Sequence, residues 1–377
     1  MSGETRVPED ERASGAQARK FVALGSDPFE DAIETDPFLD GLSLLGLEPA
    51  PVPTASRFER PAAEAPVRPV PSAARPQSAP TPILRRHWSS TPPLAEVELP
   101  EPEGWLERTL GPEERRRLAA LTHLVEGEGA YDRFGFAPEV IKRAFPFFFG
   151  LYKLWFRVES RDPQNLPAEG PAILVGNHGG LLPFDAAMCV IDVLMHTDPP
   201  RLARTIVDRW AGTLPWVNVF YARVGQVIGT RENFADLLAD GQLLLVFPEG
   251  MDGMRKTVTQ RYRLQRFRVG FIEQALRQSV PIVPIGIIGS DDQSPILHDF
   301  RPLARRLGLP VLPITPTFPW LGPLGLVPYP VRYRIVYGEP LNFHQRFGPE
   351  DAGDSRLVQY LAKQVRRAVQ LLVDRNR

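Results

Sequence analysis

The sequence predicts an α/β fold, a mixed and mostly parallel sheet flanked by helices, preceded by a long disordered N-terminal segment. Three observations predict it. Uninterrupted apolar runs at 173–175, 243–247 and 280–288 have the length of strands buried on both faces, and segments of helical period stand between them. Two of these runs end in glycine turns that carry His178 and Glu249, and open sheets of this class place their sites at the carboxyl edge. Proline supplies the third: 16 of the 41 prolines lie in residues 1–100, 12 of them from residue 51 onward. That segment has too few apolar runs to offset its conformational entropy, so residues 1–100 are expected to be disordered, acidic at first and then proline-rich.

The 377 residues suffice for one large domain or two ordinary ones. A net charge of −1 gives no general argument for nucleic-acid binding, and no such partner is expected. The single cysteine, Cys189, excludes an internal disulfide and sits in an apolar helix as a small hydrophobe. The opening "MSGETRVPED" lacks the apolar core of a signal peptide, which makes the cytoplasm the expected compartment. No run reaches the roughly 20 apolar residues that span a bilayer.

Residues 1–50 carry two similar pieces, "SDPFEDA" and "TDPFLDG", and then "LSLLGLE". They fit plain disorder, or docking motifs for a protein partner set off by a polyproline-stiffened linker over 51–100. In "GPEERRRLAALTHLVEGEG" a proline at the first helical position and closing glycines bracket one amphipathic helix of about four turns. The next segment, "YDRFGFAPEVIKRAFPFFFGLYKLWFRVES", interleaves seven phenylalanines with Lys142, Arg143, Lys153 and Arg157. Basic residues beside aromatics suit a lipid boundary, so 101–160 reads as a helical, membrane-interfacial lead-in with one face on protein and one on lipid.

The centre of the chain is 171–195. A strand runs into Gly176 and Asn177, His178 follows at once, and Asp185 stands in the first turn of the helix that comes next. A carboxylate near an imidazole fixes one tautomer and leaves the other nitrogen to take a proton from a hydroxyl. Taken alone, Asp185 also fits an ordinary helix start and His178 an ordinary turn.

"RLARTIVD" reads as a strand, and an aromatic segment then leads to a short strand at 226–228. A helix from Arg231 to Ala239 follows, and its guanidinium and free backbone amides together suit an anion. In "GQLLLVFPEGMDGMRK" the strand ends at Glu249 and Gly250, where a buried carboxylate needs a partner. Arg261, Arg263, Arg266 and Arg268 then lie beside Tyr262 and Phe267, ahead of a helix over 269–278 and the strand "VPIVPIGII". The uncharged, proline-rich stretch 310–330 suits a tunnel wall or a second membrane contact. A strand in "VRYRIVYGEPLNF" and an amphipathic helix over 354–375 close the chain.

In this order "NHGGLLPFD", "GQVIGTR", "VFPEG" and "VPIVPIG" resemble the motifs of the glycerolipid acyltransferase family typified by 1-acyl-glycerol-3-phosphate acyltransferase. The resemblance covers roughly 140–345, and "RYRLQRFRVGF" with "FPWLGPLGLVP" is similar to a bacterial monoacylglycerol-acyltransferase-like subgroup. It implies a glycerol-3-phosphate acyltransferase-like fold with a catalytic domain over 161–377. It implies His178 as general base and Asp185 as its orienting acid, with no metal and no covalent intermediate. It implies substrate contacts from Asn177, Gly225, Arg231, Glu249 and Gly250, with Lys256, Arg261 and Arg263 facing donor phosphates or the membrane.

The implied reaction moves a fatty acyl group from acyl-CoA or acyl carrier protein to a lysophospholipid or acylglycerol hydroxyl, as in phospholipid biosynthesis. The protein would act from the cytoplasm, peripherally, on the inner face of the membrane. Rival readings are a mono- or diacylglycerol acyltransferase making neutral lipid, and a catalytically silent lipid-binding scaffold. Two departures stand out. Six residues separate His178 from Asp185 where the family has four, and "FPEGMDGMRK" replaces the usual "FPEGTRS", leaving Arg255 or Lys256 as the candidate replacement cation.

Overall fold

The computed structural model describes residues 91–102, 107–125, 131–209, 216–306 and 311–377. The docking motifs, most of the linker and Trp210 lie outside these residues. The described residues belong to one compact unit that begins at Pro82.

Seven strands form the sheet: β1 (Glu159–Arg161), β2 (Ala172–Gly176), β3 (Ala203–Val207), β4 (Val227–Ile228), β5 (Leu243–Val246), β6 (Ile282–Ile288) and β9 (Arg334–Tyr337). Their order is β1-β9-β6-β2-β5-β3-β4. From β6 to β4 every neighbouring pair is parallel, whereas β9 runs antiparallel to β6 and carries β1 parallel to itself. The sheet is therefore mixed and mostly parallel, as the apolar runs predict. Two further strands, β7 (His298–Asp299) and β8 (Pro313–Ile314), pair separately.

Alternation along the strands feeds two hydrophobic clusters, one on each face. Ala172, Leu174, Leu243 and Leu245 meet α1 (Pro112–Ala120), α2 (Pro138–Gly150) and α3 (Phe184–His196). Ile173, Val175, Leu244 and Val246 meet α5 (Arg231–Ala239), α7 (Gly270–Arg277) and α9 (Ser355–Asn376). The short helices α4 (Val217–Arg223), α6 (Met251–Met254) and α8 (Arg301–Arg306) stand in the connections.

This layering fixes where a site can form. The β2-to-β3 connection passes through α3 on one face, and the β5-to-β6 connection passes through α7 on the other. A crevice opens where adjacent connections diverge in this way, here beyond the carboxyl ends of the neighbours β2 and β5.

Two expected boundaries move. Residues 91–100, read from sequence as the end of the disordered segment, pack on the folded unit. Thr91 and Val97 are buried, Leu94 N donates to Asp198 Oδ1 at 3.0 Å, and Arg115 donates to the Pro100 carbonyl at 2.8 Å. The helical lead-in is also no separate layer, because Ile141, Phe145 and Phe149 share a core with the strands. A π-helical turn, Leu151–Trp155, extends α2, and Phe145, Phe149, Tyr152 and Phe156 turn inward. Phe147 and Leu154 point out, 60% and 78% exposed. The aromatic segment thus has one face on protein and one exposed face.

Candidate active site

His178 leaves the end of β2, and its Nδ1 lies 2.6 Å from Asp185 Oδ2. Asp185 is fully buried in the first turn of α3, where its carboxylate also accepts Gly179 N at 3.0 Å and Ala186 N at 2.8 Å. Two backbone N–H groups already mark the Asp185 carboxylate as an acceptor, which assigns the proton of the 2.6 Å contact to Nδ1 and leaves Nε2 for other chemistry.

The six-residue connection closes despite its length because Gln293 pins it, donating to the carbonyls of Gly179 (3.3 Å) and Leu182 (3.0 Å). Gly180 is required there. Its φ is +83°, and a Cβ would fall 1.9 Å from Gln293 Nε2.

The imidazole is also wedged from its flanks. It stacks on Phe247 at 4.5 Å between ring centroids. Helix α6 approaches so closely that a Cβ on Gly253 would lie 2.8 Å from His178 Cβ and 2.9 Å from its carbonyl oxygen. A glycine is the residue that permits this approach.

Beneath the ring lies a buried polar cluster. Glu249 accepts His178 N at 3.0 Å through Oε1 and Gln265 N at 2.6 Å through Oε2. Lys256 Nζ sits 3.9 Å from Glu249 and 3.1 Å from Asp291 Oδ1. Asp291 in turn accepts Tyr262 N at 2.6 Å, and Tyr262 donates its hydroxyl to Asp292. Burial pushes both Glu249 and Asp291 above the usual carboxylate range, and Lys256 pulls each partly back.

Several residues expected at the substrate are therefore turned to the protein. Asn177 is fully buried and exchanges two hydrogen bonds, 2.8 and 2.7 Å, with the Ile287 backbone, which extends the β2–β6 ladder by one residue. Glu249 and Lys256 belong to the cluster below His178. Gly225 packs against Leu202, and its carbonyl accepts buried Arg204 at 2.8 Å. Arg261 pairs with Asp292 at 2.6 Å, and Arg263 is exposed on the same loop. Cys189 is buried, which raises its thiol well above its ordinary value.

What does face the site is a cavity of about 800 Å³. His178 lines it together with Leu181, Phe234, Phe247, Phe271 and Phe318, so the wall is chiefly apolar. Gly250 and Arg231 line it, and Arg209 and Arg268 join them. Arg231 stands at the first position of α5, whose cap Thr230 accepts Asn233 N at 3.1 Å. Arg268 stands just before α7, is tied by its backbone N–H to the Pro248 carbonyl at 3.0 Å, and lays its guanidinium over Gly250. Arg231 pairs with half-buried Glu273 and Arg268 with Asp208, each at 3.1 Å.

The model of the Acyltransferase family matches residues 157–288, a span that contains His178, Asp185, Arg231 and Glu249. The chain belongs to the Acyltransferase family. An uncharacterized protein of Mycobacterium tuberculosis is 41% identical to this acyltransferase over 257 residues, 66% of this chain and 70% of the other. The bovine protein named "DGAT1/2-independent enzyme synthesizing storage lipids" is 24% identical over 230 residues, 59% of this chain and 61% of its own length. The crystal structure of a 1-acyl-sn-glycerophosphate acyltransferase from Thermotoga maritima superposes with a TM-score of 0.41 at 18% identity, covering 70% of this chain and 81% of that one.

Sequence reasoning missed the arginine that covers Gly250 and the glycine under His178. Arg268 was one of four arginines in a short run, with nothing in the spacing to single it out. Gly253 had a local signal, a second glycine three residues after Gly250 inside a helical turn where alanine is otherwise favoured.

Proposed function

We propose that this acyltransferase moves a fatty acyl group from a thioester, acyl-CoA or acyl carrier protein, to the hydroxyl of a glycerolipid in phospholipid biosynthesis. The observation that carries the reading is His178 on the wall of a largely apolar cavity with Nδ1 engaged by Asp185. Nε2 takes the hydroxyl proton as that oxygen attacks the thioester carbonyl. The tetrahedral intermediate then collapses, the C–S bond breaks, and the thiolate leaves with the proton from the imidazolium. Asp185 holds the ring through both steps.

Arg231 and Arg268 suit a phosphoryl group on one substrate, and the apolar wall suits the acyl chains. The protein works peripherally at the inner face of the membrane. No helix among the described residues is long and apolar enough to cross it.

A second reading is favoured by the name of the bovine relative, an enzyme synthesizing storage lipids, and by Met251 and Asp252 in the altered motif: a mono- or diacylglycerol acceptor yielding neutral lipid. One experiment separates them. Purified protein is given an acyl-CoA and a panel of acceptors with and without phosphate, and free thiol is measured. The phosphate-bearing acceptors are expected to be preferred, and His178→Ala is expected to lower turnover by about 10²- to 10⁴-fold with the fold intact. Undiminished turnover by folded His178→Ala would exclude the base, and preference for neutral acceptors would favour the second reading.

A further inference from the structure

Two segments that line the cavity also carry large apolar side chains that nothing in the described structure covers. Trp216, at the start of α4, is 86% exposed, and Trp320 and Leu324, in the uncharged loop after β8, are 76% and 74% exposed. Both segments are also cavity wall, because Val217 and Tyr221 of α4 and Phe318 and Leu326 of the loop line it. Each segment therefore carries apolar groups on two sides, one toward the path to His178 and one toward the surroundings.

The loop is also built to meet an apolar medium. Thr315 N donates to the Phe318 carbonyl at 2.9 Å, and Thr315 Oγ1 accepts Phe318 N at 2.9 Å. Leu321 N donates to the Thr317 carbonyl at 2.8 Å, and Thr317 Oγ1 donates to the Gly325 carbonyl at 2.9 Å. These backbone groups find partners within the loop, which removes part of the cost of taking an irregular segment out of water. Gly325 makes the compact form possible, since a Cβ would lie 2.5 Å from the Thr317 carbonyl oxygen.

We infer that this apolar surface, the loop bearing Trp320 and Leu324 with Trp216 of α4, inserts into an anionic lipid leaflet and passes lipid laterally to His178. The inference rests on the proposed reaction and names the partner of the same site. Charge decides the partner. Arg209, Arg231 and Arg268 line the same cavity as these segments, so the apolar tips meet acyl chains while cations lie near phosphate head groups. Tryptophan suits that depth, being apolar in body and polar at one edge.

The test uses the full chain and sedimentation with vesicles of phosphatidylcholine alone or mixed with phosphatidylglycerol. Wild-type protein is expected to bind the anionic vesicles more tightly. A Trp320→Ala, Leu324→Glu double variant is expected to lose at least tenfold in partitioning, while its thiol release on a short-chain, monomerically soluble acceptor is unchanged. A double variant that sediments like wild type overturns the inference, as does wild type that binds neither vesicle. A concentration-dependent dimer abolished by the variant assigns the face to a second copy and overturns it too. Thiol release without vesicle binding sinks this inference alone, and vesicle binding without thiol release sinks the proposed reaction alone.

Discussion

Arg268 reaches the cavity over a glycine, and a methyl group at position 250 would stand 3.2 Å from its guanidinium carbon. Its neighbours explain why it is the cation to test. Lys256 is locked between Asp291 and Glu249, and Arg261 is held by Asp292, so neither is among the cavity-lining side chains. A charge-assisted hydrogen bond to phosphate contributes about 1.5–3 kcal/mol, so Arg268→Gln should raise KM for a phosphate-bearing substrate roughly 10- to 100-fold with kcat little changed. Assays with paired acceptors, and with donors that differ in their phosphates, tell which substrate the arginine holds. An unchanged KM throughout would remove Arg268 from the site. At this scale the sequence was legible where local geometry alone decides a role. A strand, a turn and a helix start bring His178 to Asp185, and those elements are written in neighbouring residues. The protein partners of Asn177 and Glu249 were not legible, because a polar residue at a strand end serves substrate or backbone equally well. Only the distant partners, Ile287 and Gln265, decide between them.

Helix α3 carries a second aspartate, Asp192, and this one joins elements rather than substrates. Fully buried, it accepts Tyr152 of the π-helical turn and Tyr337 of β9 at 2.6 Å each, and Ser160 of β1 at 2.8 Å. Burial first, then the Asp192 carboxylate, raises both tyrosine hydroxyls well above their ordinary value, so they remain donors throughout the physiological range. Asp192→Ala leaves these hydroxyls unpaired in the core, and a loss of roughly 2–5 kcal/mol is expected in urea unfolding. Asp192→Asn, which still offers an acceptor, should lose less. A loss under about 1 kcal/mol for the alanine variant would mean water or another group replaces the carboxylate. The strands and helices of the parallel core were readable because each is a run of apolar residues with its own period. β1 was not, for it is three residues of polar sequence held by β9 and by this network. A buried aspartate in an apolar helix stripe was the available signal.

Across the described fold the mostly parallel character of the sheet follows from two-faced burial, but its strand order and the direction of β9 do not. An alternating strand near the end of the chain fits either edge in either sense, and its antiparallel seat beside β6 is a matter of tertiary packing, with Ile335 and Tyr337 in the core shared with α2 and α3. Packing from both faces also encloses Glu249, Lys256 and Asp291, and the enclosure makes stability depend on pH. Burial raises the folded-state pKa of both carboxyls, so between the ordinary value and the raised one the folded chain binds more protons than the unfolded one. The stability gained is fully present below the ordinary carboxylate pKa and is lost as pH rises through the folded value. Exposed Glu159 is shifted the other way by Arg161 and Arg334, but solvent screens it. Comparing wild type with Asp291→Asn by denaturant unfolding between about pH 5 and pH 8 isolates one carboxyl of the cluster. The wild-type advantage should grow, or its disadvantage shrink, as pH falls, because the variant lacks that proton uptake. A difference independent of pH would show that Lys256 holds Asp291 ionised throughout this window, with its attraction outweighing burial.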